Sequence, residues 1–275
     1  MDDISTILSE IYRKRQTADM PCCIKLCQKA MALAAAQRNP KLQAALHVEI
    51  GICLLQNQEG DRSDNIEKAI RHYQQALKKM IRKHMPVDWA KTNRNLAIAY
   101  LKRIGGERAE DIEKAIKYCQ KSLEVMTREA MPIEWAASTM SMAKAFLIRI
   151  RCNRAENIEK AIEYYRQVLE VMTRQSTLFE WAKAMDNLAT AYSERIRGDK
   201  AKNIEKAIRY YQQALEVRTR KTMPFEWAQT MNNLSAAYFE RIQGDIAENI
   251  ENAIECCQQT PEVRTRQDMP VEWAN

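Results

Sequence analysis

Glycine and proline are scarce, six and seven in 275 residues, and so little turn chemistry excludes a many-stranded sheet protein or a low-complexity linker. Long apolar runs are missing too. The longest small-apolar stretch, Ala30 to Ala36, is far too short to cross a bilayer, and no charged segment leading into an apolar one opens the chain. A soluble, cytoplasmic protein with no membrane contact is expected.

Histidine is rarer still. His47, His72 and His84 fall in different slots with no fixed Ser, Cys or carboxylate partner, and no Walker loop, GxGxxG or HExxH occurs. Catalysis has no visible seat, so no enzyme is expected. Eight cysteines lack the spacings of a disulfide framework. Cys22, Cys23 and Cys27 come nearest to a thiol cluster, but no second CxxC pair or neighbouring His accompanies them, and neither metal nor cofactor is expected. The cysteines read as buried small hydrophobes in a reducing compartment.

What is present is periodic. NIEKAI stands at residues 65, 157 and 203, with DIEKAI at 111 and NIENAI at 249, each start 46 residues after the last. Trp89, Trp135, Trp181, Trp227 and Trp273 keep the same interval. A constant period of about 20 to 50 residues marks stacked units that bury their apolar faces on one another. In NIEKAI the two Ile and the Ala therefore read as core, and the Glu and Lys as a solvated edge.

One repeat, residues 198 to 243, shows the unit. Ile204, Ala207, Ile208, Tyr211, Ala214 and Leu215 keep the spacing of an amphipathic helix, here called B. Trp227, Met231, Leu234, Tyr238 and Ile242 form a second such series, the A helix of the next pair, with Pro224 at its first position and Glu226 near its positive end. Gly198 and Gly244 are expected to end A helices in the left-handed conformation, and Asp199 and Asp245 to cap the B helices that follow.

The phase extends backwards through Pro40, so residues 1–59 form a divergent N-terminal cap, 60–243 four repeats, and 244–275 a degenerate last unit. Pro261 falls inside its B helix, and Met269 to Asn275 begin an A helix too short to stand alone. This reads as a unit cut short, with a further unit expected beyond it.

Helix A carries Leu96-Ala97-x-x-Tyr100, Met142-Ala143-x-x-Phe146, Leu188-Ala189-x-x-Tyr192 and Leu234-Ser235-x-x-Tyr238; helix B carries Ala69-x3-Tyr73-x2-Ala76 and Ala207-x3-Tyr211-x2-Ala214. These resemble the tetratricopeptide repeat, although that unit has 34 residues. The long period looks like arrays of the kinesin light chain type, and more like bacterial arrays attached to caspase-like proteases or signalling ATPases. The resemblance implies an all-α, right-handed α-solenoid of antiparallel helix pairs, and a non-catalytic protein-interaction scaffold whose A helices line a concave groove.

In that family an Asn just before the Leu holds the backbone of an extended peptide. The matching residues are Asn95, Asn187 and Asn233, with Ser141 breaking the series. Groove positions that vary between repeats include Lys91, Arg94, Lys102, Lys183, Asp186 and Asn232. Net charge is +7 overall, running +1 for residues 1–59, +7 for 60–105, +1, 0 and +3 for the next three repeats, and −5 for 244–275. An acidic peptide is expected at Lys91, Arg94 and Lys102. Self-association through the C-terminal end is expected from the same gradient. RNA binding is the rival class, because residues 78 to 84 read KKMIRKH, but the basic residues form no stripe and nucleic acid is not expected. A sensor array of a larger protease or ATPase is a further alternative.

Overall fold

Apolar residues at helical spacing and well-placed caps produce helices throughout. In a computed structural model that describes residues 4–260, twelve helices follow in order: α1 Ile4–Gln16, α2 Met20–Ala36, α3 Pro40–Gln56, α4 Arg62–Lys79, α5 Pro86–Lys102, α6 Arg108–Leu123, α7 Pro132–Leu147, α8 Arg154–Leu169, α9 Leu178–Ser193, α10 Lys200–Leu215, α11 Pro224–Phe239 and α12 Ile246–Gln258. Odd-numbered helices are the A helices. Pro261, Trp273 and the segment Met269 to Asn275 lie outside the described residues.

The B helices start as their sequence dictates. Asp61, Asn153, Asp199 and Asp245 each accept a hydrogen bond from the backbone N–H three residues on, which satisfies one orphan donor of the first turn. Pro86 and Pro224 open A helices where no amide donor is needed.

The chain divides into two compact units, Met1–Ala145 and Phe146–Asn275. In the first, α1 to α6 pack each on its neighbour in the chain, and the A helices α3 and α5 also touch. The second repeats this with α8 to α12 and an α9 to α11 contact. Tyr73, Ile66, Leu96 and Ile112 are fully buried in the first unit; Tyr165, Ile158, Leu188 and Ile204 hold the same places in the second.

Four expectations need correction. α11 ends at Phe239, so Ile242 lies in the following loop and is 66% exposed. Gly198 and Gly244 are left-handed, with φ of 82° and 84°, but they sit in the A-to-B loops five residues beyond the last helical residue, where the chain reverses into the next N-cap. Of the cysteines, Cys152 and Cys257 are exposed and Cys22 half-buried; the other five are buried.

The fourth concerns NIEKAI. Its Glu does not form a free solvated edge: half-buried Glu67, Glu159 and Glu205 each bind an arginine at the end of the next A helix, Arg103, Arg195 and Arg241, at 2.5 to 2.8 Å. Its Asn is buried, and the Asn65, Asn157, Asn203 and Asn249 amides donate to the carbonyls of Glu59, Arg151, Arg197 and Gln243 in the preceding loop. Lys160 and Lys206 stand over the rings of Phe146 and Tyr192. The hexapeptide thus fixes the turn before it and the helix after it.

Candidate functional site

Lys91, Arg94 and Asn95 occupy positions i, i+3 and i+4 of α5 and share one face. Lys41, Ala45, Val48 and Ile52 do the same on α3 at i, i+4, i+7 and i+11. These two faces, with Arg15 from the end of α1, line a cleft of about 460 Å³ within the first unit. Its floor is apolar and its rim cationic, and Asp88 adds a single carboxylate.

The cations differ in how they are engaged. Arg15 Nη1 binds Glu49 Oε1 at 2.9 Å, and Lys91 Nζ lies 3.7 Å from Glu134 Oε1. Arg94 is half-buried and makes no hydrogen bond or ion pair among the described residues. Burial pushes its guanidinium pKa down from the ordinary value, and the field of Glu134 opposes that. A desolvated guanidinium beside an Asn amide suits an anionic group held next to a peptide bond.

The other expected residues are not gathered there. Lys102 is exposed and outside the cleft lining, and Ser141 Oγ donates back to the Ala137 carbonyl of its own helix. In the second unit Asn187 and Asn233 are half-buried and Lys183 exposed, while Asn232 Oδ1 accepts from Thr260 Oγ1 at 3.1 Å.

Asp186 is the clear miss. It is buried and lies 3.1 Å from Arg218 Nη1, itself buried and donating to Thr230 Oγ1 at 2.8 Å. Asp186 is therefore an interior ion-pair partner, not a groove residue. No local signal pointed to this, because Arg218 stands 32 residues further along the chain.

His47 and His72, set aside in the sequence, meet with their Nδ1 atoms 3.0 Å apart across α3 and α4. Burial, then His47 and Arg71, bring the His72 pKa down to about 4. Among the described residues no group of three His, Cys, Asp or Glu could hold a metal ion, and no helix is long and apolar enough to cross a membrane.

A tetratricopeptide-repeat profile matches residues 227–260, and a Sel1-repeat profile matches 48–79, 90–124, 153–167 and 182–216. No curated protein matches the sequence. Several solved structures are similar. BtubC (BKLC) from P. vanneervenii superposes with a TM-score of 0.59 at 18% identity, over 94% of this chain and 92% of that one. The STAND protein PH0952 from Pyrococcus horikoshii, described as having a tetratricopeptide repeat sensor, gives 0.66 at 13% identity, over 99% of this chain and 38% of that one. The TPR-like repeats of a putative kinesin light chain from Podosopora anserina give 0.52 at 16% identity, over 83% and 98%. At such identities the likeness shows the fold, an all-α solenoid of antiparallel helix pairs.

Proposed function

The chain belongs to the tetratricopeptide-repeat superfamily, and on that premise we propose that it is a non-catalytic scaffold binding an extended acidic peptide in the cleft of α1, α3 and α5. Repeat proteins of this kind are generally protein-interaction scaffolds. The observation that carries the finer reading is Arg94. A half-buried guanidinium without a counter-ion, set beside Asn95 and Lys91 over an apolar floor, is paid for in desolvation and recovers it when a carboxylate arrives.

Asn95 pairs with the ligand's backbone amide, which is independent of ligand sequence; Arg94, Lys91 and Lys41 select for acidity; and the floor of Val48, Ile52 and Met85 takes an apolar side chain. The test is selection from a displayed peptide library, followed by affinity measured from low to high salt. Acidic winners whose affinity falls steeply with salt support the reading. Neutral winners, or a flat salt response, overturn it. Binding that vanishes with nuclease treatment would indicate RNA.

A further inference from the structure

At three joints between neighbouring helices the same pair of rings recurs. An A-helix aromatic meets a tyrosine of the B helix that follows, Tyr100 with Tyr118, Phe146 with Tyr164 and Tyr192 with Tyr210, each with centroids 5.7 Å apart. The lysine four residues before that tyrosine stands over the A-helix ring: Lys114, Lys160 and Lys206, at 5.2 to 5.7 Å. Where the A-helix ring is a tyrosine, the preceding B helix binds its hydroxyl. Gln74 donates to Tyr100 at 3.2 Å and Gln212 to Tyr238 at 3.0 Å, and Arg166 donates to Tyr192. A phenol at this place is thus held on its face by an ammonium and at its hydroxyl by one polar side chain.

The joint of α2, α3 and α4 keeps this frame and lacks the rings. One period before Tyr100 stands Leu54, and one period before Tyr118 stands His72. Burial bears out the register: Ile50, Cys53 and Leu54 of α3 are buried like Leu96, Ala99 and Tyr100 of α5, and Cys23, Cys27 and Ala30 of α2 like Ala69, Tyr73 and Ala76 of α4. Lys68 holds the place of Lys114, but with Leu54 there in place of a ring, and it pairs with Asp64 at 2.5 Å. Gln28 holds the place of Gln74 and makes no side-chain hydrogen bond among the described residues. His72 turns instead to His47. The space left by the two smaller side chains is open: Leu54, Lys68, His72 and Gln28 all line a groove of about 480 Å³, with Ile24 and Ile50 adding to its apolar wall.

We propose that this groove binds a phenol, whose ring takes the place that Tyr100 fills one joint later. The ring rests on Leu54 and Ile24 with Lys68 over its face, and its hydroxyl accepts from the Gln28 amide. Both polar contacts are ones the fold already makes to its own tyrosines, so they require no new backbone arrangement. A groove of this size, apolar with a few polar groups at fixed places, suits a single-ring molecule. It shares no lining residue with the cleft of α1, α3 and α5, and the inference does not rest on the peptide reading.

The experiment is titration of the full chain, followed by nuclear magnetic resonance, with p-cresol, which is the tyrosine side chain as a free molecule, and with toluene, which lacks the hydroxyl. p-Cresol should bind about fivefold more tightly than toluene, the worth of one hydrogen bond. Gln28→Leu should bring p-cresol down to the level of toluene, and Leu54→Tyr, which supplies the ring from the chain itself, should abolish binding of both. Gln28 is exposed, so its substitution reads the site even where Leu54→Tyr disturbs packing. N-Acetyltyrosine amide separates the sources of the phenol: affinity equal to that of p-cresol points to a partner's tyrosine, and much weaker affinity to a free small molecule. Absence of saturable p-cresol binding, equal affinity for p-cresol and toluene, or discrimination that survives Gln28→Leu would overturn the proposal.

Discussion

Arg218, just beyond the end of α10, reaches Asp186 on α9 with Nη1 to Oδ2 at 3.1 Å, both side chains buried. Removing one partner strands the other charge in the interior. Asp186→Ala is therefore expected to lower stability by about 3–5 kcal/mol in urea denaturation, while the joint change Asp186→Leu with Arg218→Met recovers most of it. Equal losses for the single and the joint change would contradict the interior assignment.

Asn203 is buried, donates to the Arg197 carbonyl at 3.0 Å and accepts from Arg195. Asn203→Ala leaves that carbonyl without its donor and should cost about 1–3 kcal/mol, whereas the exposed neighbour change Lys202→Ala should cost far less. Comparison of their denaturation midpoints is the check.

Cys152 has φ of 69°, in the loop position where Gly198 and Gly244 stand in later repeats. A residue with a Cβ is strained there, so Cys152→Gly should raise stability by about 0.5–1 kcal/mol, read from the same midpoints. A loss of that size would mean the side chain contributes packing that its exposure does not suggest.

His72 gives the fold a pH dependence of definite sign. Its folded pKa of about 4 lies below the ordinary 6.5, so between these values the unfolded chain binds the extra proton. The contribution is present above about 6.5 and lost as pH falls toward 4, and His47, lowered chiefly by burial, acts in the same direction. Denaturation midpoints should drop over that window and His72→Gln should flatten the drop; an unchanged slope would exclude the pair as its source.

Much of this was legible in the sequence because the signals are local. Asp199 caps α10 and Pro224 opens α11 through contacts within one turn, and helical spacing alone puts Lys91, Arg94 and Asn95 on one face. The misses share a different cause. Asp186 looked like a groove residue because its partner is remote, and Glu159 looked solvated because Arg195 lies 36 residues away. That second pairing was recoverable, since the same Glu-to-Arg offset recurs at 67 and 103 and at 205 and 241.

Under the proposed function the cleft of α1, α3 and α5 takes an acidic peptide. Calorimetric titration of the best library-selected acidic peptide into the wild type and into the Arg94→Ala, Asn95→Ala double variant tests it most directly. Affinity should fall at least about tenfold with helicity and melting unchanged, as expected for a lost charge-assisted contact. Equal affinity for both proteins would contradict it and move the binding site elsewhere on the array.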